Sequence, residues 1–116
     1  MSGIEIANKF MDIADWRKKI DELDLRLVEL LNQRAQAAQE IGRLKRNTQM
    51  PIYEPDREKT IFENVRRANQ GPLPDNELRH VYERIIDVMR NIQKLEIQPK
   101  SRTDAGPTEF DVEVND

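Results

Sequence analysis

From residue 13 to residue 46 the chain places Trp16, Ile20, Leu23, Leu27, Leu30, Arg34, Ala38, Ile41 and Lys45 at steps of three and four. That spacing puts them on one face of a single long helix. Asp12 or Asp15 can cap its start, Gly42 is the one weak helix former inside it, and Asn47-Thr48 end it ahead of Pro51. About 34 residues rising about 1.5 Å each make a rod of about 50 Å. A second helix is predicted after PIYEP, with Glu54 at the cap, Pro55 in the first position, and Asp56 and Glu58 in the first turn, where acids suit the helix dipole. Ile61, Phe62 and Val65 form its apolar face, and Asn69-Gln70-Gly71-Pro72 breaks it. A third helix runs from about Pro74-Asp75 to about Ile97, with Leu78, Val81, Tyr82, Ile85, Met89 and Ile92 as its stripe. No segment alternates as a strand would. The expected class is all-α, with one long and two shorter helices.

Length changes this picture. The chain has 116 residues, enough for one small domain. A rod of about 50 Å is too long for the core of a 100-residue globule, whose radius of gyration is about 13 Å. Its apolar stripe needs cover along its full length, and the simplest cover is the same helix of a second chain. An intertwined homodimer is therefore expected, the alternative being a monomer bent at Gly42. The domain organisation reads as an extension over 1–12, a helical domain over 13–97, and a tail over 98–116. That tail holds five acids, two bases, two prolines and a glycine, and is expected to be disordered.

Composition removes several classes of chemistry. There is no cysteine, so disulfides, thiolate metal sites and cysteine nucleophiles are excluded. His80 is the single histidine, so neither a histidine-based metal site nor a Ser-His-Asp triad is expected within one chain. The 19 bases and 22 acids give a net charge of -3, and few aromatics are available for stacking, so nucleic acid is not expected as a partner. No apolar run is long enough to span a membrane. The acidic start lacks the form of a signal peptide, and a cytoplasmic location is expected.

The informative feature is charge where the core should be. Arg34 and Lys45 occupy the apolar stripe of the first helix. Gln93 falls one turn after Met89 on the third, and Arg57 one turn before Ile61 on the second. Each alone could be a long stem that snorkels to water. Together they place three cations and an amide toward one interior, where unpaired charge is costly, and the stripes offer no obvious acid to neutralise them all. A dianionic guest would do so, and guanidinium groups suit carboxylates. Arg17 lies about 25 Å before Arg34 along a straight rod. It is either an exposed first-turn arginine or, in an antiparallel dimer, a group that enters the partner's pocket.

These residues resemble the all-helical class of chorismate mutases over roughly 13–97. The likeness rests on WRKKIDELDLRLVELLNQRAQAAQEIGRLK with Arg17, Arg34 and Lys45, on PIYEPDRE with Arg57-Glu58, and on IIDVMRNIQK with Gln93. The resemblance implies three helices in an intertwined homodimer, with Arg17 donated across the interface to each of two active sites. It implies the Claisen rearrangement of chorismate to prephenate, in phenylalanine and tyrosine biosynthesis, with no cofactor and no metal. Lys45, Gln93, Arg34 and Glu58 become the catalytic set, and Arg17, Glu54, Arg57 and Met89 complete the substrate-binding positions. In these roles Arg17, Arg34 and Arg57 grip two carboxylates, Lys45 and Gln93 bond the ether oxygen, and Glu58 accepts from the ring hydroxyl, helped by the backbone near Glu54.

Two departures are visible. Met89 stands where some bacterial members have a serine, and its thioether cannot donate a hydrogen bond. Glu54 stands where some have aspartate. Nothing in the sequence suggests a fused regulatory or second catalytic domain. The rival on the same scaffold is isochorismate pyruvate lyase, in which an apolar residue replaces the acid at Glu58. The rival from another class is a non-catalytic helical dimerisation module, which leaves the cations on apolar stripes unexplained.

Overall fold

A computed structural model describes residues 10–98. The expected extension falls largely, and the acidic tail almost wholly, outside the described residues. Among the described residues three helices follow one another: α1 over Ile13–Arg46, α2 over Pro55–Ala68 and α3 over Asp75–Ile97. Among the described residues there is no strand, and no helix is long and apolar enough to cross a membrane.

Reciprocal bonds set the start of α1. The Asp15 amide donates to Asp12 Oδ1 at 2.9 Å and the Asp12 amide donates to Asp15 Oδ2 at 3.1 Å. This is a capping box with aspartate in both places. The Asp15 backbone N–H is the largest cause holding the Asp12 carboxyl below its ordinary value. Gly42 sits inside the helix without ending it. At the other end Arg43, Lys45 and Arg46 occupy the last turn, where cations suit exposed carbonyls. Thr48 N and Thr48 Oγ1 both donate to Lys45 O, at 3.1 and 3.2 Å, and close the helix.

The chain divides into two units, 1–36 and 37–116. In the first, the stripe that was expected to need cover is open: Trp16, Ile20, Leu23, Leu27 and Leu30 are all exposed, Leu30 by 60%. In the second, the last turns of α1 meet α3 at close range. A Cβ on Gly42 would stand 2.9 Å from Glu96 Cβ and 3.0 Å from the Gln93 backbone. Glycine is required there because two backbones approach each other. Around that contact Arg43 Nε donates to Glu96 Oε1 at 3.1 Å and Arg46 Nε to Glu96 O at 2.8 Å.

Pro55 opens α2, and Glu54 O accepts from Glu58 N at 3.1 Å as the first helical bond. Glu54 stands at the cap position as expected, but its side chain makes no cap bond. In the turn after α2, Asn69 Nδ2 donates to Leu73 O at 2.8 Å and to Asp75 Oδ1 at 2.7 Å, while Gly71 N donates to Asn69 Oδ1 at 3.0 Å. Gly71 takes φ of 72°, which the absent Cβ permits. Helices α2 and α3 pack together, with Ile61, Phe62 and Val65 half-buried on one, and Leu78, Tyr82 and Ile85 on the other. The buried centre of α3 is Ile86 and Met89. Val81, expected on the stripe, is exposed. At about 100° per residue, exchanging Val81 for Ile86 turns the inner face of α3 toward Arg90 and Gln93.

Candidate active site

Lys45 lies one residue before the end of α1 and is 6% exposed, the one buried charged residue of the described chain. Its ammonium has three protein acceptors. Glu54 Oε1 lies 2.7 Å away, Gln93 Oε1 3.0 Å, and Ile52 O 3.5 Å. A buried ammonium is tolerated when paired and hydrogen-bonded. Here α1 supplies the ammonium, and the 47–54 connection and α3 supply its acceptors. The expectation that the stripe cations lack an acid is corrected here for Lys45. Glu54 supplies the counter-charge, reaching back from the mouth of α2 instead of capping it.

The orientation of Gln93 follows from Lys45. An ammonium only donates, so the amide turns its oxygen toward Nζ. Its Nε2 makes no hydrogen bond among the described residues. A buried ammonium and an amide N–H are thereby fixed side by side, with the amide donor free.

The second acid, Glu58, is half-buried in the first turn of α2. Its Oε2 accepts from Arg90 Nε at 3.1 Å and pairs with Arg90 Nη2 at 3.0 Å. Arg90 Nη2 also lies 3.3 Å from Asp87 Oδ1, and its guanidinium stands 5.3 Å from the Tyr53 ring centroid. Sequence patterning missed Arg90. It sits one residue past the stripe residue Met89, and its importance depends on where Glu58 falls in space. Ile86 as the centre of the stripe was the available signal, since it brings Arg90 to the edge of the inner face.

The other expected residues divide. Met89 is buried. Arg57 is exposed, because the half-buried set of α2 is Glu58, Ile61, Phe62 and Val65, and Arg57 lies at its border. Within the 1–36 unit Arg17 is exposed and Arg34 half-buried. Neither Arg17, Arg34 nor Arg57 has a hydrogen bond or an ion pair among the described residues. The structure thus brings together Lys45, Glu54 and Gln93, pairs Glu58 with Arg90, and leaves three guanidinium groups without a protein counter-ion.

Side chains of this kind hold and polarise an oxygen; none in the cluster is placed to attack a substrate. A family model, chorismate mutase type II, matches residues 16–94, and the chain belongs to that family. The form II structure of chorismate mutase from Thermus thermophilus superposes with a TM-score of 0.70 at 30% identity, covering 74% of this chain and 98% of that one. Chorismate mutase from Helicobacter pylori, solved in complex with prephenate, gives a TM-score of 0.67 at 28% identity, over 73% of this chain and 92% of that one. Among curated relatives, the bifunctional chorismate mutase/prephenate dehydratase of Aquifex aeolicus is 37% identical over 87 residues, which are 72% of this chain and 24% of that protein. The chain thus spans about a quarter of that relative's length. The chorismate mutase of Methanocaldococcus jannaschii is 29% identical over 83 residues, 71% of this chain and 84% of that protein.

Proposed function

We propose that this chain is a chorismate mutase that rearranges chorismate to prephenate as a homodimer, each site completed by Arg17 of the partner subunit. The observation that carries this reading is the buried Lys45 with half-buried Gln93 3.0 Å away, its amide oxygen turned to the ammonium. Family membership and the prephenate bound by the Helicobacter pylori relative support it. The open stripe of Trp16 to Leu30 supports a second copy of the chain as its cover, since large exposed apolar faces mark association surfaces.

The reaction is an intramolecular Claisen rearrangement. The ether C–O bond breaks as a new C–C bond forms, and no nucleophile, proton transfer or cofactor takes part. Catalysis then requires the folded diaxial conformer to be held and the charge growing on the ether oxygen to be met by fixed donors. Arg34, Arg57 and the partner subunit's Arg17 clamp the two carboxylates. Lys45 Nζ and Gln93 Nε2 donate to the ether oxygen. The 3.5 Å contact from Lys45 to Ile52 O is the longest of its three, so a substrate oxygen displaces it at the least cost. Glu58 accepts from the ring hydroxyl, helped by the backbone near Glu54, and Met89 lines the site with apolar surface and no donor.

Purified protein is expected to consume chorismate, followed by loss of its absorbance, and to yield prephenate. Offered isochorismate as well, it should release no pyruvate. Lys45→Ala or Gln93→Ala should each lower turnover by about 10²–10³, the usual cost of one preorganised donor to a developing oxyanion. A wild-type protein that leaves chorismate intact refutes the proposal.

A further inference from the structure

We infer that Arg90 is a positioning residue for the reaction, acting through Glu58; this rests on the role proposed above for Glu58. The geometry is one-sided. Two nitrogens of Arg90 converge on the same carboxylate oxygen, Glu58 Oε2, at 3.1 and 3.0 Å. Glu58 Oε1 has no partner among the described residues. One oxygen of the carboxylate is anchored and the other is left to accept.

The anchor is itself held on two further sides. Asp87, one turn back on α3, takes Nη2 at 3.3 Å, and the Tyr53 ring faces the guanidinium at 5.3 Å. Tyr53 belongs to the same connection that delivers Glu54 to Lys45. A glutamate side chain has three rotatable bonds, and fixing it removes rotamer freedom that substrate binding would otherwise have to remove. The pair is only partly screened, with Arg90 at 33% and Glu58 at 20% side-chain exposure. An Nε hydrogen bond and an Nη2 ion pair on one oxygen also define direction, which a lysine at this position could not do.

Arg90 thus prepares an acceptor for the substrate's ring hydroxyl without touching the substrate. An arginine that merely tied α2 to α3 would make the same ion pair, so the test must separate the two roles. Wild type, Arg90→Met, Glu58→Ala and the double variant are compared for kcat/KM on chorismate and on the chorismate analogue that lacks the ring hydroxyl, below the melting temperature of every variant. Arg90→Met is expected to lower kcat/KM on chorismate by roughly tenfold, within the range for coupled contacts, and to add less than about twofold in the Glu58→Ala background. On the deoxy analogue Arg90→Met should change kcat/KM by less than about twofold. Arg90→Lys, which keeps the charge and the fold if Arg90→Met proves unstable, should fall between the two.

Equal losses on both substrates would make Arg90 a scaffold residue and overturn the inference, as would losses that multiply in the double variant. If Glu58→Ala itself keeps full activity while the wild type consumes chorismate, it is the role proposed for Glu58 that fails, and the inference falls with it.

Discussion

The two stretches of α1 carry the same kind of stripe and meet different fates. Over 37–46 the stripe is covered in part by its own chain: Ala38, Gly42 and Lys45 are buried, Ile41 stays 45% exposed, and Gly42 lets α3 come within backbone contact. Over 13–36 the stripe has more apolar surface and less cover, with Leu27 54% exposed. Small and polar residues sit where one chain completes its own packing, and large apolar ones sit where it does not. The covered half carries a cation with its acid and amide beside it. The uncovered half carries Arg17 and Arg34, with no acid paired to either among the described residues. A helix that is half core and half interface would explain both sets, the open half being the face on which the proposed second copy would pack.

Charge on the open half should have the largest effect. Leu27→Asp combined with Leu30→Asp would bury two unpaired carboxylates in a dimer core, at several kcal/mol. Sedimentation should show monomer mass, and turnover should fall by at least about a hundredfold through loss of the partner's arginine. A charge at Leu25, exposed and on the opposite side of the helix, is the matched control and should leave the dimer intact. A monomer that keeps full turnover would break the comparison.

The covered half is tested by Gly42→Ala. Alanine is the better helix former by about 1 kcal/mol, but its Cβ would press on the Gln93 backbone at 3.0 Å, which cannot move without shifting α3. Overpacking of this kind costs about 1–3 kcal/mol, and the two contributions together should lower the melting temperature. Turnover should fall as well, since Gln93 moves relative to Lys45.

The smallest effect is expected at the start of α1. Asp12 is held below its ordinary value of 3.8, chiefly by the Asp15 backbone N–H. A depressed carboxyl contributes stability above its unfolded value and loses it as pH falls through the folded one. Hydrogen exchange at the Asp15 and Trp16 amides should therefore quicken only in strong acid, and Asp12→Ala should bring that fraying to neutral pH. Unchanged exchange in Asp12→Ala would show that the cap does not hold the helix start.

Much of this was legible in the residues. The long helix runs from Ile13 to Arg46 as its spacing requires, Pro55 opens α2, and α3 ends at Ile97. Lys45 stood out because a charge at a core position violates the pattern, and it is buried. Gln93 stood out for the same reason and lies beside it. What stayed hidden depends on distances between helices. Gly42 reads as a weak point in a helix until α3 is seen against it. Glu54 reads as a cap until Lys45 is seen 2.7 Å away. Arg90 and Glu58 are 32 positions apart, and nothing local joins them. Arg57 was expected inward because periodicity gives a face but not its edge, and the edge is where it lies.

If each site uses Lys45 of one chain and Arg17 of the other, two inactivating variants should complement one another. Arg17→Ala and Lys45→Ala should each keep about a hundredth of wild-type turnover or less alone. Co-expressed or refolded together, they form heterodimers in which one site holds both native residues, so about a quarter of wild-type turnover should return if chains pair at random. No recovery from a mixture shown to contain heterodimers would mean that Lys45 and Arg17 do not share a site across the interface.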